Sequence, residues 1–96
     1  MSPRSLVSRN PEAIATEIDG EVVLMSLITG RTFGLDKRGS RIWGLIEQPR
    51  SVADLVSALL QIFDTSAERC EADLKIFLGK LSEAQLVNLV EPKPAA

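Results

Sequence analysis

The spacing of apolar and polar positions changes once along this chain, close to residue 36. Ahead of that point it follows a strand period. Ala13 to Ile18 alternates loosely, with Ile14, Thr16 and Ile18 on one face, as a half-exposed strand does. Asp19-Gly20 follows, a pair that supplies the positive φ values of a two-residue hairpin turn. Glu21 to Leu27 then reads as a second strand, Thr29-Gly30 as a second turn and Arg31 to Leu35 as a third strand. Together these predict an antiparallel meander. Val22, Val23, Leu24 and Met25 run together in its middle strand, which puts apolar side chains on both of its faces.

Past Leu35 the period becomes helical. Asp36 reads as the N-cap of a helix carrying Ile42, Trp43 and Ile46, with Gly39 letting a neighbouring backbone come close and Gln48-Pro49-Arg50 ending it. Ser51 caps a second helix, with Asp54 at the capping-box position and a stripe of Val52, Leu55, Val56, Leu59 and Phe63. Asp64-Thr65-Ser66 starts a third helix, about Ser66 to Ala84, with Cys70, Leu74, Phe77, Leu78 and Leu81 on one face and Glu68, Glu71 and Lys75 on the exposed side. Ile76 falls off that stripe, beside Arg69, Asp73 and Lys80. Leu86 to Val90 packs as a strand or a last half turn. Residues 1–10 read as a flexible N-terminal arm, 11–91 as one domain and 92–96 as a Pro-containing tail.

At 96 residues, 45% hydrophobic and 25% charged, the chain has the composition of a single globular domain. Residues 51–96 hold four Lys or Arg against seven Asp or Glu, which weighs against a nucleic-acid partner, since phosphate binding draws on clustered cations. No apolar run approaches the ~18 residues of a membrane span, and the N-terminus lacks the apolar centre of a signal peptide. The expectation is a cytoplasmic protein with no membrane partner. With no His, no Tyr and one Cys, neither a Ser-His-Asp nor a Cys-His nucleophile system nor a His/Cys zinc site can form. No catalytic residue, cofactor or metal is expected, and the chain reads as a non-enzyme.

Cys70 lies in a buried helical stripe among acidic neighbours, so it reads as a small hydrophobe and not as a reactive thiol. Trp43 reads as a core anchor. Arg31, Lys37, Arg38, Arg41 and Arg50 form the one dense basic group; it is either a solvated face or a patch that attracts an acidic peptide. In a three-stranded meander both outer strands keep an open edge. Such an edge is a liability unless it is used, and one use is the addition of an extended peptide as a further strand.

With these elements assembled, the chain resembles the PqqD-like family, the peptide recognition elements of ribosomally made and post-translationally modified peptides. The resemblance runs from about Glu17 to Val90. It rests on DGEVVLMSLITGRTFGLD, on GSRIWGLIEQPRSVADLVSALLQIFD and on CEADLKIFLGKLSEAQLV, in that order. Phe33 stands where the third strand often has Tyr, Asp36 where Asn is frequent, and Ala84-Gln85 where Gly commonly precedes the last Leu-Val. The resemblance implies an α+β, winged helix-turn-helix-like fold, a three-stranded antiparallel sheet packed on a three-helix bundle. It implies a function too: binding the leader segment of a precursor peptide as a strand along the third strand, in a cleft closed by the third helix. On this sequence the backbone of Arg31, Thr32, Phe33, Gly34 and Leu35 would supply the ladder, and Asp73, Ile76, Phe77 and Lys80, with Cys70 deeper, the helical wall.

Within the family a discrete chain with Gly-Arg-x-Phe-Gly-Leu before the first helix is most similar to the recognition proteins of lasso-peptide clusters. Their partners are a leader peptidase of cysteine-protease type and an ATP-dependent macrocyclase, and their leaders often carry Tyr-x-x-Pro. The alternative in the family is the peptide chaperone of pyrroloquinoline quinone synthesis. Outside it stand a winged-helix DNA-binding domain, opposed by Glu68, Glu71 and Asp73 on the would-be recognition helix, and a homodimer that pairs its exposed edges. The state expected is a monomer or weak homodimer.

Overall fold

The structure is a computed structural model that describes residues 1–91; the expected tail at 92–96 lies outside the described residues. Along the chain the elements are β1 (Leu6–Arg9), β2 (Ala13–Ile18), β3 (Glu21–Ser26), β4 (Thr32–Gly34), α1 (Lys37–Leu45), β5 (Arg50–Ser51), α2 (Val52–Ile62), α3 (Ala67–Glu83) and β6 (Val87–Val90). They build an α+β fold with two three-stranded antiparallel sheets, ordered β2-β3-β4 and β5-β1-β6.

Local chemistry sets the meander. Asp19 and Gly20 take φ of 52° and 82°, the double left-handed turn whose twist suits a two-residue hairpin. Gly30, at φ 73°, closes the second turn, where Ser26 Oγ accepts from the backbone N–H groups of Ile28 and Thr29, each at 3.2 Å. The ladder between β3 and β4 ends on a side chain. Leu35 donates its N–H to Val22 O at 2.8 Å, while Val22 donates to Ser40 Oγ at 2.9 Å and that hydroxyl donates to Leu35 O at 3.3 Å. Ser40 thus completes the last ladder pair and fastens α1 to the sheet.

Each helix begins where a short polar side chain satisfies a first-turn N–H. Asp36 accepts from Gly39 at 2.8 Å, Ser51 from Asp54 at 3.1 Å and Ser66 from Arg69 at 3.2 Å. The inner faces meet in a core that includes Leu24, Ile42, Trp43, Ile46, Leu55, Leu74, Leu78 and Leu81. Cutting any of these leucines to alanine would remove roughly 2–5 kcal/mol.

Three expectations need correction. Residues 1–10 are not an arm: β1 lies between β5 and β6, with Val7 and Ser5 fully buried. Arg9 donates from Nη2 to Trp43 O at 2.6 Å and lies 4.5 Å from the centre of its indole ring. A four-residue strand is too short to display alternation, so pairing and burial, not pattern, order it. The bundle therefore carries a second sheet beyond the one expected, and Leu86 to Val90 resolves in favour of a strand. Finally, the close neighbour of Gly39 is a side chain: a Cβ there would come within 3.1 Å of Phe77 Cε1.

The helix end where Gly was missing is closed by Gln85 at φ 59°. Leu86 donates to Leu81 O at 2.8 Å and Gln85 to Ser82 O at 3.0 Å, the paired bonds of a Schellman motif with a buried Leu81–Leu86 contact beneath.

Candidate functional site

The open edge of β4 can be read residue by residue. Leu35 bonds to Val22, and Ser26 donates to Arg31 O at 3.0 Å; with Leu24 opposite Phe33, alternation turns the peptide groups of Arg31, Phe33 and Leu35 toward β3. Those of Thr32 and Gly34 face outward. Only two of the five backbone positions expected to form a new ladder therefore present both peptide groups to a ligand. Arg31, Phe33 and Leu35 hold the edge in place, and the Arg31 guanidinium lies 5.1 Å from the centre of the Phe33 ring.

Two contacts tether the segments flanking that edge to α3. The turn before β4 is tied to the end of α3 by Thr29 Oγ1 donating to Ala84 O at 3.5 Å. After β4, Gly39 lies against Phe77. β4 runs between these two tethers, one at Ala84 and one at Phe77, and the same helix carries Asp73, Ile76 and Lys80. Ile76 is 60% exposed, Asp73 and Lys80 are exposed and Phe77 is half-buried, so this stretch of α3 offers apolar surface flanked by one carboxylate and one ammonium group.

A cavity of about 240 Å³ lies beside the Gly39–Phe77 tether, bounded by α1, the end of α2 and α3. Gly39, Ile42, Leu59, Phe63, Leu74 and Phe77 form its apolar lining, with Asp36, Arg38, Thr65 and Asp73 as polar members. The space exists partly because position 39 has no side chain. Cys70 also lines it but is only 5% exposed. Burial raises the pKa of this thiol and Asp73 adds to the rise, against the opposing pull of Arg38. It stays protonated at neutral pH, as a packing group does.

Arg38 was missed as a member of this site. It pairs with Asp73 at 3.9 Å and lies 4.8 Å from the centre of the Phe63 ring, which fixes both walls of the cavity. Its i, i+4 position relative to Ile42 was the available signal, masked by the basic cluster around it. That cluster is dispersed in space: Arg31 caps Phe33, Arg38 joins the cavity, Arg50 lies in β5, and Lys37 and Arg41 line a separate groove beneath β2.

The comparisons agree with this geometry. The family model described as coenzyme PQQ synthesis protein D (PqqD) matches residues 21–87, and the chain belongs to the PqqD family. A solved structure, TbiB1 in complex with the TbiA(beta) leader peptide, is 34% identical with a TM-score of 0.76, and the match covers 92% of this chain and 99% of that one. No curated protein matches the chain in sequence. Among the described residues no helix is long and apolar enough to cross a membrane.

Proposed function

We propose that this protein binds the leader segment of a ribosomally synthesised precursor peptide by strand addition to β4 and delivers it to modifying enzymes. The observation that carries the reading is the outward pair Thr32 and Gly34 on an edge strand tethered to α3 on either side, with the cavity beside Gly39 and Phe77 at one tether. An extended peptide adding here satisfies the free peptide groups of the edge, and its alternate side chains enter the cleft. The solved relative in complex with a leader peptide supports the same ligand class.

The pathway we favour is lasso-peptide synthesis, in the cytoplasm, with a cysteine-protease type leader peptidase and an ATP-dependent macrocyclase as the enzymes served. The protein itself acts as a binding module and not as a catalyst. A second reading, the peptide chaperone of pyrroloquinoline quinone synthesis, is favoured by the description of the matching family model. Fluorescence anisotropy with labelled leaders of the two kinds separates them. Saturable binding of the lasso-type leader at micromolar or tighter, about −8 kcal/mol or better, with no binding of the other, is the expected result. The reverse preference would move the protein to the quinone pathway, and binding of neither would remove the proposal.

Ile76→Asp tests the wall directly. Ile76 is exposed, so the fold should tolerate the change, while a carboxylate set against the peptide should weaken leader binding by about tenfold. Unchanged affinity would take Ile76 out of the cleft.

A further inference from the structure

The second free edge of the meander, β2, is unused by the leader cleft. Ile14, Thr16 and Ile18 turn their peptide groups to β3, opposite Met25, Val23 and Glu21, which leaves those of Ala15 and Glu17 facing outward. Glu17 is the one charged side chain on this strand. The edge has no proline, lysine or bulge, the usual guards against strand pairing, and Ile14 to Ile18 are exposed throughout. The face of the sheet turned away from the helices is apolar too: Ile14, Ile18 and Met25 are 43%, 57% and 37% exposed.

We propose that β2 is the contact of a symmetric dimer, in which a second copy of this chain pairs antiparallel with the two-fold axis at Thr16. The sequence of the strand selects this register. Centred on Thr16, Ala15 and Glu17 exchange peptide hydrogen bonds with Glu17 and Ala15 of the second copy. Ile14 then lies opposite Ile18, and Thr16 opposite Thr16, on the apolar face. An axis at Glu17 would set the two Glu17 carboxylates against each other, and an axis at Ile18 would set Glu17 against Asp19; like charges directly opposite oppose pairing. An axis at Ala15 would place Ile18 opposite Glu12.

The other side of β2 has room for the contact. It overhangs an open groove lined by Val22, Leu45 and Ile62, where Lys37 and Arg41 share the space with Glu17, so cations meet the carboxylates that the pairing brings together. The assembly is a continuous six-stranded sheet with β4 at each end. Both leader edges stay free, and one dimer presents two of them.

Sedimentation velocity on the intact protein, from micromolar to several hundred micromolar, tests this alongside a cysteine crosslink. The wild-type chain should form a reversible dimer. Ala15→Pro removes an outward N–H and leaves the β2–β3 ladder intact; it should weaken the dimer by at least about tenfold with leader affinity unchanged. Thr16→Cys should oxidise to a disulfide-linked dimer, because a directly opposed pair without hydrogen bonds has Cα atoms about 4.5 Å apart, within disulfide reach. Ile18→Cys, opposite Ile14, should not. A chain monomeric at the highest concentration, a dimer indifferent to Ala15→Pro, or a dimer dissociated by leader peptide would overturn the proposal, the last by moving the contact to β4.

Discussion

The sheet β5-β1-β6 holds Val7 and Val87 at 0% and 2% exposure, whereas β2-β3-β4 leaves Ile14 and Ile18 at 43% and 57%. Both have three strands and both are antiparallel. They differ in what finishes their edges. In the first, β5 is two residues long and leads into Ser51, the cap of α2; Val52 donates to Ser5 O at 3.0 Å and Ala53 to Pro3 O at 2.9 Å. On the β5 side these neighbours consume the hydrogen-bonding capacity of the edge. The second has a buried inner face, through Leu24 and Ser26, and two edges with outward peptide groups. One sheet closes the core and the other offers strands to pair with. Substitutions should therefore separate into those that unfold the protein and those that only silence it.

Val7→Asp should have the largest effect. It places a carboxylate at a fully buried position, and an uncompensated charge there costs roughly 3 kcal/mol or more. For a domain of this size that lowers Tm by more than about 12 °C. Thermal denaturation followed by circular dichroism measures it, and leader affinity of the folded fraction should stay within about twofold. A small Tm change would return residues 1–10 to the arm that the sequence implied.

The next effect is confined to the meander. Thr32→Pro removes an outward N–H and spares the ladder to β3, so leader affinity should fall by at least about tenfold while Tm moves by only a few degrees. Phe33→Pro is the contrast. Its N–H serves the pair with Leu24, so it should lower Tm and binding together. Equal loss of stability in the two variants would mean that Thr32 does not face outward, and the division of labour along β4 would be wrong.

The three helices, their caps and the β2-β3-β4 meander were legible because each rests on a local rule: a cap residue, a turn pair, a period. Asp36, Ser51, Ser66 and Asp19-Gly20 act within a few residues of themselves. The second sheet was not legible, since β1 gains its order from β6, whose register sets Leu6 opposite Val90 and Arg9 opposite Val87. Partners so far apart in sequence leave no periodic trace. In the candidate site, the off-stripe position of Ile76 pointed to a groove, while the set Asp73, Ile76, Phe77 and Lys80, with Cys70, came from the family resemblance. Which residues of β4 face outward depended on pairing parity, which becomes visible only once β3 and β4 are in register. Arg38 was hidden because its partners, Asp73 and Phe63, come from two other helices.

The smallest expected effect lies at the closed sheet and is set by pH. Glu91 accepts hydrogen bonds from the hydroxyls of Ser5 and Ser2, and chiefly the bond from Ser5 lowers its pKa below the ordinary 4.5. A carboxyl with a lowered pKa in the folded state contributes stability that is fully present above its unfolded value. That contribution shrinks as pH falls through 4.5 and is gone below the lowered value. Glu91→Gln should thus be slightly less stable than the wild-type chain at neutral pH, with the gap closing on acidification. Because the Glu91 side chain is 58% exposed, the gap should also shrink in high salt. The meander should be indifferent, with leader affinity of the variant unchanged at neutral pH. Parallel Tm curves against pH would mean that the clasp does not hold β1 to β6, and that burial of Val7 and the Arg9–Trp43 contact suffice to keep that sheet closed.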